Sequence, residues 1–199
     1  MTPSLDKTRF TEFLVQENSL NEHGFEEWIF YPGMLFNELA KWWGDKKGKR
    51  DRPHEGLDLF LYRDHRDRIL ELDKKTRVPV MYDGVVVSIL DDFLGKSVII
   101  EHGFADRDNR RFCTIYGHTN PYDGIRVSRF VKEGDVLATL ADADKSDADI
   151  ATHVHISVGW IPASISYDRF DWDAIGSPES MKLLDPLDFI ERRYVAEAS

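Results

Sequence analysis

Short runs of β-forming residues, separated by turn sequences, dominate residues 78–158 and constrain the fold more than any other feature of the chain. Five such runs follow one another, at 84–90, 96–101, 111–116, 136–140 and 153–158. Glycine-containing dipeptides that are typical of tight turns lie between them. Several short strands at close spacing predict a mainly β protein with an antiparallel sheet as its core.

The first fifty residues lack this pattern, and two stretches within them fit a helix better. Residues 11–17 could form one or two helical turns, and residues 34–43 place large apolar side chains, Trp42 among them, at helical spacing. The sequence therefore predicts an N-terminal helical extension over residues 1–50, packed against a main domain over residues 51–199.

Composition limits the chemistry that is open to this chain. Its 199 residues suffice for one buried core, and Cys113 is the only cysteine, which excludes an intramolecular disulfide and a cysteine-ligated zinc site. Any metal must therefore be held by histidine and carboxylate. A formal net charge of −10 makes nucleic acid a poor partner, since phosphate binding needs clustered Lys and Arg. No apolar run is long enough for a membrane span or a signal peptide.

Four of the seven histidines fall into three short sequences, which are the candidate functional motifs. They are PHEGLD at 53–58, YGH at 116–118 and THVH at 152–155. In a strand, His153 and His155 point to the same face because side chains alternate with a period of two. One of the two can therefore bind a metal while the other reaches the space beside it.

A catalytic zinc site needs three protein ligands at about 2.0–2.2 Å and a fourth position for water. His54, Asp58 and one histidine of the 153–155 pair meet that requirement. The 54–58 sequence is not the helical His-Glu-x-x-His motif, since its fifth residue is Asp and Gly56 weakens a helix. We expect a loop or a strand there. From these residues alone, a structural histidine pair on a strand is the alternative to a metal site.

The order His-x-Gly-x-Asp, Tyr-Gly-His, His-x-His resembles the zinc metallopeptidases of the lysostaphin and LytM type, which cut peptide bonds in bacterial cell walls. Residues 78–86, 98–103, 131–137 and 185–190 also resemble stretches of that family. The resemblance covers about residues 51 to 190. It implies a small antiparallel β-sheet protein, related to the duplicated hybrid motif, with the metal in a groove across the sheet.

The resemblance also implies a role for each residue of the motifs. By motif position, one zinc ion per chain is bound by His54, Asp58 and His155. The catalytic pair that does not bind the metal is His118 and His153. Tyr116 lies two residues before His118 and would reach the groove as a substrate contact if the strand continues to that point; otherwise it packs in the core.

The implied function is a zinc-dependent endopeptidase that hydrolyses stem peptides or peptide cross-links of peptidoglycan in the cell envelope. A non-catalytic module of the same fold, which binds wall material or activates an amidase, is the second possibility. A biotinyl- or lipoyl-carrier domain shares the hairpin pattern, but it has no use for five aligned site residues. The bond that is cut, the oligomeric state and any covering of the groove by residues 1–50 are left open.

Overall fold

A computed structural model describes residues 5–44, 48–145, 149–191 and 193–197. In chain order its helices and strands are α1 (Phe10–Glu17), β1 (Phe25–Phe30), β2 (Leu57–Leu59), β3 (Leu61–Asp64), β4 (Ile69–Glu71), β5 (Arg77–Pro79), β6 (Gly84–Asp91), β7 (Lys96–Ala105), β8 (Arg110–Pro121), β9 (Phe130–Val131), β10 (Val136–Leu140), β11 (Val154–Pro162), α2 (Trp172–Ile175), β12 (Lys182–Leu184) and β13 (Tyr194–Ala196). The prediction of a mainly β fold is confirmed. None of the helices described is long and apolar enough to cross a membrane.

The larger sheet runs in the order β12-β11-β8-β7-β6-β9, and β2, β5 and β10 pair with it off this path. All of its pairings are antiparallel, as the sequence predicts. Along β8, Phe112 and Tyr116 face one apolar cluster, whereas Cys113 and Ile115 face a second one on the other side. Because both faces of β8 are covered, residues 112–119 of this strand are all buried.

A smaller sheet, in the order β13-β1-β3-β4, joins the two ends of the chain to the region after the first motif. Strand β1 pairs in parallel with β13 and antiparallel with β3. The buried Trp28 of β1 belongs to the same apolar cluster as the central strands. The division into domains at residue 50 stays a prediction, and the residues described on its two sides share one core.

Within residues 1–50, the structure confirms one helix and corrects the other. Helix α1 lies where residues 11–17 predict it. The predicted helix over 34–43 is wrong: a single 3-10 turn covers Pro32–Met34, and Ala40 forms a bridge with Lys49. The Arg50 backbone N–H donates to Leu39 O at 2.8 Å. Long-range contacts thus replace the local hydrogen bonds of a helix, although the apolar spacing imitates one.

Candidate metal centre

Strand register brings the three histidine motifs together. Strand β2 lies antiparallel to β11 with Asp58 opposite His155, and β8 lies along β11 with Gly117 opposite His155. A side chain at Gly117 would place its Cβ only 3.3 Å from His155 Cβ, so the absence of one lets the strands and the imidazole approach. His54 precedes β2 in a loop, as the sequence predicts.

Three potential ligand atoms converge within this site. His54 Nε2 lies 3.1 Å from Asp58 Oδ1 and 3.1 Å from His155 Nδ1, and the last two atoms are 2.9 Å apart. Tetrahedral zinc with bonds of about 2.0–2.2 Å would hold its ligand atoms about 3.3–3.6 Å apart. These three atoms form a triangle whose sides would have to lengthen by only a few tenths of an ångström to hold zinc. All three residues are buried. The donor set and its size fit a zinc ion.

The outer hydrogen bonds of the two imidazoles leave lone pairs for a metal. His54 Nδ1 lies 3.0 Å from Leu35 O, and because a carbonyl only accepts, this nitrogen carries the proton and Nε2 does not. His155 Nε2 lies 2.9 Å from Ser157 Oγ, a hydroxyl that can accept the ring proton at Nε2 when a metal takes the place of the proton at Nδ1. Burial lowers the pKa of His155 to about 4, which favours the neutral imidazole that metal binding requires.

Asp58 supplies the negative charge of the triangle. Burial opposes ionisation of this carboxyl, but His54 and His153 and the hydrogen bond from His155 hold its pKa well below the ordinary value. Its second oxygen, Oδ2, accepts a hydrogen bond from Trp42 Nε1 at 2.7 Å. A carboxylate that is already ionised is suited to a cation.

The two histidines predicted to be catalytic lie at the edge of the triangle. His153 Nε2 is 3.6 Å from Asp58 Oδ1, and the rings of His153 and His118 are 4.7 Å apart between centroids. His153 Nδ1 donates to Ala151 O at 2.8 Å, so Nε2 presents a lone pair to the site. Burial lowers the pKa of His153 to about 3, which keeps this imidazole neutral.

Asp92 is a member of the site that the sequence analysis missed. Its carboxylate lies beneath His118: Oδ2 accepts from the His118 backbone N–H at 2.8 Å, and Oδ1 lies 3.2 Å from His118 Nδ1. The second approach is not aligned for a hydrogen bond, and it becomes an ion pair when the ring is protonated. The Asp92 side chain is 1% exposed. In the sequence, Asp92 before Leu94-Gly95 indicates only a turn.

Hydrogen bonds from its own hairpin hold Asp92 in place. Leu94 N and Gly95 N donate to Oδ1, at 3.0 and 2.7 Å, and Ser97 Oγ donates to Oδ2 at 2.6 Å. Although burial alone would raise the pKa of this carboxyl, the hydrogen bonds from His118 and Ser97 hold it well below its ordinary value. His118 has a left-handed backbone with φ of 61°, which lets its ring return towards the site.

The triangle forms part of the wall of a cavity of about 480 Å³. Aromatic side chains make up much of the remaining wall, and these are Trp43, Phe93 and Trp172. Glu55 and Asp91 add two carboxylates, although Glu55 is paired with Arg52 at 3.4 Å and Asp91 with Lys96 at 2.6 Å. The cavity can receive an extended peptide segment against apolar walls with the three converging ligand atoms in reach.

The structure places Tyr116 away from this cavity, which corrects the predicted substrate contact. Its side chain is completely buried in the larger apolar cluster, and its hydroxyl accepts from Met81 N at 2.7 Å. The strand alternates as expected, but Gly117, not Tyr116, shares a face with His155. Left-handed His118 then breaks the alternation, so the two-residue spacing from Tyr116 does not give a shared face.

Replacing Tyr116 with phenylalanine tests this correction. We expect the Tyr116→Phe protein to be about 1–3 kcal/mol less stable, because the buried Met81 N–H loses its acceptor. Urea unfolding of the two metal-free proteins measures the difference. The KM of Tyr116→Phe for any substrate should equal that of the wild type. A KM that rises severalfold without loss of stability would support the predicted substrate contact of Tyr116.

Comparison with known proteins assigns the chain to a family. The model of peptidase family M23 matches residues 63–165, about half of the sequence, and these include His118, His153 and His155. His54 and Asp58 lie before the matched residues. No significant match is found among curated proteins.

Three solved structures of two peptidases align with the chain at low identity. The solution structure of lysostaphin aligns with 78% of this chain at 18% identity and a TM-score of 0.44, and the chain covers 49% of it. The catalytic domain of lysostaphin from Staphylococcus simulans aligns with 87% of this chain and 96% of that domain, at 16% identity and a TM-score of 0.46. For a zinc-containing peptidase from Vibrio cholerae, the coverage is 67% of this chain and 37% of that one, at 20% identity and a TM-score of 0.42.

The chain thus spans about half the length of lysostaphin and less than half of the Vibrio cholerae peptidase. The family assignment rests on the sequence match, which covers residues 63–165. By that match, the chain belongs to peptidase family M23.

Proposed function

We propose that this protein is a zinc-dependent endopeptidase that hydrolyses stem peptides or peptide cross-links of bacterial peptidoglycan, and that it acts in the cell envelope, where this substrate lies. The observation that carries the proposal is the buried triangle of His54, Asp58 and His155, with His118 and His153 at its edge. Membership of a peptidase family supports hydrolysis of a peptide bond.

The proposed ligands of one zinc ion per chain are His54 through Nε2, Asp58 through Oδ1 and His155 through Nδ1. Zinc bound there would supply Lewis-acid chemistry, which activates a water molecule and polarises the carbonyl of the scissile bond. Leu35 O fixes the tautomer of His54, and Ser157 Oγ can accept from His155 Nε2 when Nδ1 binds the metal.

His153 is the proposed general base. Its Nε2 carries a lone pair and lies 3.6 Å from the Asp58 oxygen of the triangle, so it can accept the proton of the attacking water. Its Nδ1–H donates to Ala151 O at 2.8 Å, which prevents the ring from turning. Because the carbonyl can only accept, Nδ1 keeps its proton, and Nε2 is the nitrogen that takes up the proton of water.

His118 is the proposed stabiliser of the oxyanion and donor to the leaving amine. With Nδ1 3.2 Å from Asp92, the opposite nitrogen Nε2 is the one free to face substrate. When the His118 ring holds a second proton, the Asp92 carboxylate balances its positive charge. His118 and His153 thus differ in their partners, one a carboxylate and the other a neutral carbonyl, and this difference supports separate roles.

Digestion of purified peptidoglycan tests the proposal. We expect zinc-loaded protein to release peptides with new amino termini or to convert cross-linked muropeptides into monomers, as resolved by liquid chromatography and mass spectrometry. Prior removal of the metal with a chelator should abolish the products, and added zinc should restore them. Binding to peptidoglycan without any new amino terminus would instead support the non-catalytic module of this fold.

A further inference from the structure

A segment outside the histidine motifs contacts the triangle of His54, Asp58 and His155. Residues 39–50 precede the first motif and lie outside the part of the chain that matches the family. We propose that Trp42 in this segment is a positioning residue that restricts Asp58 to binding zinc through a single oxygen, with help from Arg50. This inference rests on the proposed zinc site, and it assigns a role to the N-terminal region that neither the motifs nor the family match contains.

The two oxygens of Asp58 have separate partners. Oδ1 belongs to the triangle, 2.9 Å from His155 Nδ1 and 3.1 Å from His54 Nε2. Oδ2 accepts from Trp42 Nε1 at 2.7 Å and lies 3.4 Å from Arg50 Nη2. An indole N–H only donates and does not titrate in water, so it occupies Oδ2 at every ordinary pH. Rotation of the carboxylate to present both oxygens to a metal would break this bond.

Packing fixes the indole that makes this hydrogen bond. The Trp42 ring lies against Phe60 with centroids 4.7 Å apart, and its edge meets the His153 ring at 5.0 Å. One side chain thus contacts a proposed ligand, Asp58, and the proposed base, His153. The position of Trp42 therefore sets the relative placement of the two groups.

Hydrogen bonds and a ring contact of Arg50 hold the segment against the site. Arg50 Nη1 donates to Gly33 O at 2.8 Å and to Ala40 O, and its guanidinium lies over the Trp43 ring at 4.5 Å. The side chain is 10% exposed. Gly33 permits this arrangement, since a Cβ there would be only 2.7 Å from Trp42 N. The contacts hold residues 39–44 and 48–50 in one arrangement beside Asp58.

Loss of the indole donor should weaken zinc binding. Groups that hydrogen-bond to a metal ligand typically contribute about 10–100-fold to metal affinity, because they orient the ligand before the metal arrives. In a Trp42→Phe protein, the ring contacts with Phe60 and His153 remain possible, but Asp58 Oδ2 loses its closest donor. The freed carboxylate can then turn or bind through both oxygens.

Three variants separate this effect from a general loss of stability. Trp42→Phe removes the indole N–H at Asp58, and Arg50→Gln removes the more distant cation. Trp28→Phe is the matched control, because Trp28 is equally an indole whose Nε1 donates to a side-chain oxygen, Thr11 Oγ1 at 3.2 Å, but in the core. Urea unfolding of the metal-free proteins compares their stabilities before any metal is added.

Zinc affinity is measured by competition between each metal-free protein and a chromogenic chelator. We expect the Kd for zinc to rise about 10–100-fold in Trp42→Phe, to rise less in Arg50→Gln, and to stay unchanged in Trp28→Phe. Cobalt(II) in place of zinc gives a second readout: the visible absorption of four-coordinate cobalt in the wild type should weaken in Trp42→Phe, as Asp58 binds through both oxygens.

Equal zinc affinities of wild type and Trp42→Phe would overturn the inference. If Trp42→Phe does not fold, Trp42→Leu takes its place, because leucine also removes the indole N–H, and an unchanged Kd in that protein has the same meaning. A wild type that does not bind zinc at all contradicts the proposed function instead. The two failures are thus distinguishable in one titration.

Discussion

Replacing His155 with alanine should remove zinc from the protein. We expect about one zinc ion per chain in the wild type, as three protein ligands with an open fourth position provide, and almost none in His155→Ala. With His155 Nδ1 absent, only His54 and Asp58 remain, and two ligands at a buried site do not compensate the lost hydration of the ion. Mass spectrometry of the metal content, after zinc loading and dialysis, measures the result.

An exposed histidine provides the control for this experiment. His23 lies on the surface, so His23→Ala changes the histidine count and leaves the triangle intact. Its zinc content should equal that of the wild type. If the wild type holds no zinc even after zinc is supplied, the metal centre and the catalytic mechanism are both wrong. If His155→Ala keeps a full equivalent, the metal is bound elsewhere on the chain.

Replacing His153 with alanine should lower kcat by about 10²–10⁴-fold while the protein keeps its zinc, which is the usual contribution of a general acid or base. His153 Nε2 stands 3.6 Å from the Asp58 oxygen of the triangle and is not among the three converging ligand atoms. Its loss removes the acceptor for the proton of water, whereas the substrate contacts of the cavity walls remain, so KM should change little. Steady-state kinetics on a peptide identified from the peptidoglycan digest, beside metal analysis, gives both quantities.

His102 offers a matched comparison, since it is also a buried histidine but lies outside the cavity. Its Nδ1 bonds to Asp83 O at 2.9 Å and its Nε2 to Thr114 Oγ1 at 2.9 Å. His102→Ala should lower stability and leave kcat of the folded protein unchanged. A kcat of His153→Ala within about threefold of the wild type would contradict its role as base, since removal of a general base costs far more. Loss of zinc from His153→Ala would instead show that it supports metal binding.

The environments of the two catalytic candidates could not be inferred from their motifs. His153 is held by the carbonyl of Ala151, two residues away, whereas His118 is held by Asp92, twenty-six residues away in the chain. Strand alternation can predict that a side chain reaches a site, but not the partner of its second nitrogen. In the proposed mechanism that partner separates base from acid, and for His118 it comes from a different hairpin.

The sequence by itself determined the class of the fold and named the candidate residues of the site. Runs of period two predict antiparallel strands because alternation is a local property of the extended chain. The absence of a second cysteine directs metal chemistry to His and Asp, and the three motifs supply His54, Asp58, His118, His153 and His155. The fold class depends on residue type and short-range spacing alone, whereas the roles of the five residues came from the resemblance to the lysostaphin and LytM type of peptidases.

Only the tertiary structure decided how these residues are oriented and what supports them. The register of β11 against β2 and β8 places Asp58 and Gly117 opposite His155. The left-handed backbone of His118 interrupts the alternation of side chains, so Tyr116 does not share a face with His118. Residues 34–43 have the apolar spacing of a helix, yet Trp42 donates to Asp58 instead. These outcomes depend on hydrogen bonds between groups far apart in the chain, and local pattern carries no information about which distant partner a donor meets.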